Sequence, residues 1–168
     1  MSKNPEFKVG ERVVYPSHGV GEIIELESQV IAGTNLEVYV ISFPHDKMIL
    51  RVPVSRASAA GLRTIANKSD INKVYSILND KPKRGNKMWS RRAQEYETKI
   101  NSGQIDSIAE VVRDLYKNVD SDRSYSERTI YESALNRLAT EIAILENITV
   151  PVATEKLVDL LREKLAAA

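Results

Sequence analysis

The chain has 168 residues, 42% of them hydrophobic and 28% charged, with no cysteine and a formal net charge of +1. This supplies a core for one compact domain or two small ones, and it excludes disorder throughout, disulfide stapling and thiolate chemistry. No eighteen apolar residues run together, the first sixteen residues lack a signal-peptide core, and the near-neutral total makes no whole-chain case for nucleic acid, so the expected setting is the cytoplasm with no membrane partner.

From Phe7 to Pro53 short β-prone runs alternate with turn residues: "FKVGERVVYP", a tight turn over Ser17 to Gly21, "EIIELESQVI", "AGTN", "LEVYVISF", "PHDK" and "MILRVPV". Valine, isoleucine and tyrosine at near-alternate positions, punctuated by Gly, Pro, Asn and Asp, predict a small antiparallel barrel of four or five strands. After Leu62 the apolar period changes to that of a helix. "KSDINKVYSILND" places Ile71, Val74, Tyr75 and Leu78 on one face behind a Ser69 or Asp70 cap. "DKPKRGNKM" breaks that helix, and Ser90 is expected to cap a second one that runs through Ile100 and stops at Gly103. A third carries Ile105, Ile108, Val112, Leu115 and Tyr116. The fourth opens on Ser124 and Glu127, spaced as a capping box, and continues through Ile130, Ala134, Leu135, Leu138, Ile142 and Leu145. The fifth, after Pro151, carries Leu157, Val158, Leu161 and Leu165. The predicted architecture is α+β: a β module over residues 1–64 and an all-α module of five helices over residues 65–168.

Charge is unevenly spread along this plan. Residues 1–65 hold seven bases and seven acids, residues 66–103 hold nine bases against four acids, and residues 104–168 hold eight against twelve. The only tryptophan, Trp89, sits inside the densest basic run, among Lys81, Lys83, Arg84, Lys87, Arg91 and Arg92. Two readings compete for it. The indole could complete the helical core, with the cations a solvated loop. Alternatively it lies just before the helix capped by Ser90, outside the apolar stripe of Ala93, Tyr96 and Ile100, at a protruding corner. There its cations would attract phosphates while the ring stacks on bases or opens a base step. The second reading is favoured here because a buried indole N–H needs a partner.

Enzymatic chemistry finds little in the sequence. His18 and His45 have no cysteine or metal-binding spacing around them and read as solvated turn residues. Gly19 and Gly21 lack the third glycine of a dinucleotide loop, no Walker-type lysine motif exists, and Glu25 and Glu27 read as solvent-facing strand acids. No cofactor or metal is expected, and the chain is not expected to be an enzyme.

The segments "FKVGERVVYPSHGVGEI", "LRVPVSRA", "WSRR" and "SGQIDSIAEVVRDLY" resemble, in order and spacing, the CarD/CdnL family of bacterial RNA polymerase-binding transcription regulators. The resemblance runs from Phe7 to the neighbourhood of Leu165. The N-terminal part alone would also resemble the related module of the transcription-repair coupling factor, but the long helical half and the absence of Walker motifs exclude that helicase.

The resemblance implies a Tudor-like domain at 1–64 that docks on the polymerase β subunit, with Arg51 at a β-contacting position and Pro53 in the same motif. Gln29 stands where some relatives carry a base, so a charge contact there is absent or replaced. Residues 65–168 resemble the family's helical DNA-binding domain, with Trp89 as a minor-groove wedge into promoter double-stranded DNA without sequence specificity. Lys87, Arg91, Arg92 and Arg128 fall at neighbouring basic positions, whereas Gln94 stands where relatives can have lysine. The resemblance further implies a monomer, associated with the nucleoid through polymerase, that stabilises the open promoter complex. The rival reading is a nucleic-acid-binding or scaffolding protein with a different protein partner.

Overall fold

The structure, a computed structural model, describes residues 6–83, 88–116 and 125–167. The chain divides into two compact units, Met1–Ile65 and Ala66–Ala168.

In the first unit β1 (Arg12–Tyr15), β2 (Gly19–Ile31), β3 (Thr34–Phe43), β4 (Met48–Pro53) and β5 (Arg63–Thr64) form one antiparallel sheet in the order β4-β3-β2-β1-β5. Side chains alternate between faces along a strand. One face therefore gathers Val13, Ile23, Tyr39, Ile41, Phe43 and Val52 into a core that Phe7, Ala57 and Leu62 complete. The Tyr39 hydroxyl accepts the backbone N–H groups of Glu6 (2.9 Å) and Phe7 (3.3 Å), and this ties the entering chain to the middle of the sheet.

Two backbone positions are dictated by space and sign. A Cβ on Gly21 would lie 2.7 Å from the Phe43 ring and 2.8 Å from an Ile41 methyl, so only glycine lets β2 approach those side chains. The β2–β3 hairpin closes through Ala32 and Gly33, both with positive φ (52° and 78°), as a two-residue hairpin turn of type I′ requires. The turn expected over Ser17 to Gly21 is shorter in the structure, because β2 already begins at Gly19 and pairs it with Tyr15.

The second unit consists of α1 (Lys68–Asn79), α2 (Trp89–Asn101), α3 (Ile105–Leu115), α4 (Tyr125–Glu146) and α5 (Val150–Ala167). α3 is central: Ala109, Val111 and Val112 are fully buried, and Leu138, Ile142 and Leu157 of α4 and α5 join the same core. A five-stranded antiparallel sheet of Tudor-like type followed by five helices is the α+β architecture read from the sequence.

Several helix starts differ from expectation. Asn67, not Ser69 or Asp70, caps α1. Its side chain accepts from Asp70 N (2.9 Å) while Asp70 accepts from Asn67 N (3.1 Å), a reciprocal box. α2 begins at Trp89, with Arg92 N donating to Met88 O (3.1 Å), so Ser90 lies inside the first turn rather than capping it. α5 begins ahead of Pro151: Thr149 Oγ1 accepts from Val152 N (3.3 Å), and Pro151 occupies the first turn, where a missing N–H costs nothing. Ser124 lies outside the described residues. Far along α4, the buried carboxylate of Glu141 accepts the backbone N–H of Ala66 (2.7 Å), fastening the first residue of the helical unit to that helix.

Candidate functional site

Two contacts hold the end of α1 and the residues that follow it. Lys164 Nζ of α5 donates to Leu78 O (3.1 Å) at the end of α1, a favourable place for a cation. Burial lowers the Lys164 pKa, and the neighbouring Arg113 charge lowers it further, against Asp80 and Asp114. Lys83 N then donates to Asp114 Oδ1 (2.9 Å), and that same oxygen takes the Nε of Arg113 (2.8 Å), a pair buried within α3. The backbone at Lys83 is thus held by a carboxylate that a buried arginine also engages.

Trp89 itself is the first residue of α2, half-buried and packed against the helical core. Its ring lies 6.3 Å from that of Tyr96, tilted by 47°, and the Arg92 guanidinium carbon sits 5.1 Å from the indole centroid, within cation–π range. Burial raises the Tyr96 pKa, as do the Asp114 and Glu127 charges, partly offset by Arg92. This corrects the placement of Trp89 ahead of the helix and outside its stripe. Residues 89, 93, 96 and 100 form a single apolar stripe on α2, and the indole is its first member. Its neighbour Met88, which the sequence reading passed over, is the apolar side chain left exposed here, at 58%.

Arg92 also approaches Glu127 of α4, Nη2 to Oε1 at 4.0 Å, and the Glu127 side chain is only 8% exposed. That contact brings the first turn of α2 beside the first turn of α4, so residues 89–92 and 128 share one region although 36 positions separate Arg92 from Arg128. Arg91 and Arg128 are exposed; Arg92 is partly covered. Lys87 lies outside the described residues. Two helix N-termini side by side add positive potential to the exposed arginines. Glu127 was read as a capping-box acid; its contact with Arg92 could not be found from spacing, since the partner sits 35 residues away.

In the β unit, the register Val40↔Arg51 and Val38↔Pro53 puts Arg51 and Pro53 on the face opposite the core. A bulge in β2 between Ile23 and Glu25 shifts the alternation so that Glu25, Glu27 and Gln29 pair with Val40, Val38 and Leu36 on that same outer face. Glu27 bridges the expected contact residues: Arg51 Nε donates to its Oε2 (3.3 Å) and Gln29 Nε2 to its Oε1 (3.3 Å). Arg51 and Gln29 therefore converge on one carboxylate, that of Glu27, while Pro53 lies on the same face. The pair is exposed and contributes about 0–1 kcal/mol, so a binding partner can displace it at little cost.

The histidines differ from each other. His45 is exposed, but His18 is half-buried and stacked on Tyr15 (5.5 Å, 15°) with Phe43 at 5.6 Å, which corrects its reading as a solvated residue. Among the described residues no three His, Cys, Asp or Glu side chains gather as metal ligands, and no helix is long and apolar enough to cross a membrane.

Comparison with known proteins matches residues 7–66 to the CarD-like/TRCF RID domain and residues 73–158 to the family described as CarD, C-terminal domain. The chain is also similar to a Bacillus subtilis (strain 168) protein named "Putative transcription factor YdeB", 26% identical over 144 residues that cover 85% of this chain and 94% of that protein. With both matches falling in order along one chain and the second alone spanning more than half of it, the protein belongs to the CarD-like family of transcription regulators.

Proposed function

We propose that the protein is a non-catalytic initiation factor that docks on the β subunit of RNA polymerase and stabilises the open promoter complex. Arg51, Pro53 and Gln29 form the docking face, and Trp89 is the wedge at the upstream edge of the bubble. The observation that carries this reading is the convergence of Trp89, Arg91 and Arg128 at two adjacent helix starts. Exposed arginines there neutralise phosphates without reading sequence, while the part-exposed indole is held by Tyr96 and Arg92 on its inner side. A ring so braced is preorganised, and little rotamer entropy is lost when its outer edge enters a groove.

At the upstream edge of a melted promoter one more base pair can always reform. A wedge in the minor groove at that junction opposes reannealing and prolongs the bubble. Opening a base step costs a few kcal/mol, so the helical unit by itself binds DNA weakly. Docking on polymerase raises its effective concentration at the junction and supplies the position that the wedge does not read. Arg51 serves this docking by exchanging the Glu27 carboxylate for an acid or carbonyl of the partner.

The test is the lifetime of competitor-challenged open complexes formed by cognate polymerase on a ribosomal RNA promoter, with the wild-type chain, Trp89→Ala, or no factor. Wild type should lengthen the lifetime, and Trp89→Ala should lose about 5- to 150-fold of it. Equal lifetimes for wild type and Trp89→Ala would favour a second reading that the packing of Trp89 against the helical core itself supports. In that reading the indole is purely structural and the basic helix starts alone contact DNA.

A further inference from the structure

Arg92 differs from the other cations of its run in what surrounds it. We propose that Arg92 and Glu127 are positioning residues that brace the Trp89 indole, and that Arg92 is not a phosphate contact. The inference rests on the reading of Trp89 as the DNA-facing side chain and assigns the group that holds it there.

Three observations on the guanidinium agree. Its flat face is committed to the indole, 5.1 Å from the ring centroid. Its Nη2 approaches the almost buried Glu127 carboxylate. Its Nε is enclosed, with no hydrogen-bond partner among the described residues. Arginine takes a phosphate through one of two forks of parallel N–H donors; the enclosed Nε removes the fork it shares with Nη2, and in the other, Nη1 with Nη2, the Nη2 group is turned toward Glu127. Swinging Arg92 out to a phosphate would free that edge only by giving up its contacts with the indole and with Glu127. Arg91 next to it is exposed and carries no such commitment. The division of labour along "WSRR" is then one arginine for the DNA and one for the tryptophan.

Glu127 extends the brace across helices. It lies in the first turn of α4, where the helix dipole favours a carboxylate, and it is the acid that faces Arg92. Planarity matters as much as charge: a lysine at position 92 could still reach Glu127 but would present no plate to the indole.

Trp89 is the chain's only tryptophan, so its fluorescence reports the brace directly in the full-length protein without DNA or polymerase. The experiment compares wild type, Arg92→Gln, Arg92→Lys, Glu127→Gln and Arg91→Gln by acrylamide quenching, emission maximum and thermal unfolding. The same set is then titrated with a generic duplex over a salt series. Arg92→Gln, Arg92→Lys and Glu127→Gln should raise quenching and shift emission to the red, while Arg91→Gln leaves both unchanged. On DNA, Arg91→Gln should reduce the log-log salt slope by about 1. Arg92→Gln should leave the slope intact and weaken binding about 2- to 5-fold, the loss expected of a cation–π contact.

A salt slope that falls as much for Arg92→Gln as for Arg91→Gln overturns the inference, as does unchanged quenching in Arg92→Gln. If Arg92→Gln unfolds at a much lower temperature, the more conservative Arg92→Lys decides: increased quenching at an unchanged slope supports the brace, and wild-type quenching refutes it. Because quenching is read without polymerase, a braced indole together with an undiminished open-complex lifetime in Trp89→Ala would reject the proposed function and keep the brace.

Discussion

The two units place their proposed binding side chains in opposite ways. In the β unit, Arg51 and Pro53, two residues apart, share a face by strand alternation, and a single bulge brings Glu27 and Gln29 onto it. The face opposite carries the main core, so the proposed docking side chains are set apart from it, although their cross-strand neighbours Val38 and Val40 are themselves buried. In the helical unit Trp89, the proposed wedge, is also the first residue of the α2 core stripe and is only half-buried. On the proposed reading, the sheet lets a binding face be altered with little change to its core, whereas at the start of α2 one side chain serves both packing and recognition.

That contrast is most directly broken at Trp89. Trp89→Ala should shorten open complexes and also cost stability, about 1–3 kcal/mol given partial burial, read as a drop in unfolding temperature alongside the lifetime assay. A stability loss of zero would return the indole to the protruding corner expected from sequence. Glu141→Ala removes the carboxylate that accepts Ala66 N–H in a buried setting, and about 1–3 kcal/mol should be lost with no change in DNA affinity at constant folding. This checks that α4 can be weakened without touching recognition.

Arg51→Glu tests the other half of the comparison. It sets a second acid against Glu27 and should weaken binding to the polymerase β subunit about tenfold, with an unfolding temperature close to wild type and unaltered DNA affinity. Parallel losses of β binding and stability would show that the outer face is not separable from the core after all.

The smallest effect concerns Tyr75, Glu146 and Lys156, which join α1, α4 and α5. Burial alone would raise the Glu146 pKa, but hydrogen bonds from Lys156 and Tyr75 outweigh it and hold the group below its ordinary value. The hydrogen bond to Glu146 raises Lys156 above its own. A depressed carboxylate contributes stability above its unfolded pKa and loses it as pH falls through the folded value. A raised lysine contributes below its unfolded pKa and loses it as pH rises through the folded one. Between those limits Lys156→Met should cost about 0–1 kcal/mol, since the pair is partly exposed, and the difference from wild type should vanish in acid.

The sequence made the β unit legible because alternation and turn residues are local signals, and it made the helices legible through their apolar period. The misreadings arose at boundaries. Asn67, Ser69 and Asp70 are all good caps, and only the reciprocal hydrogen bonds decide for Asn67. Placing the cap of α2 at Ser90 rather than Met88 cut Trp89 from residues 93, 96 and 100, although the spacing itself was in plain view; two residues of boundary error turned a core member into a loop residue. What no local pattern could reveal are the cross-helix and cross-strand partners. Glu127 for Arg92, Asp114 for Lys83 N and the approach of His18 to Phe43 all depend on the packed fold.

α4 is also a strut. Glu127 beside Arg92 and Glu141 beneath Ala66 lie 14 residues apart on it, about 21 Å at helical rise. A pull arriving along the backbone at Ala66 is therefore received by the helix that, about four turns away, carries the acid under the tryptophan's arginine. One helix thus ties the start of the helical unit to the corner that holds Arg92 and Trp89.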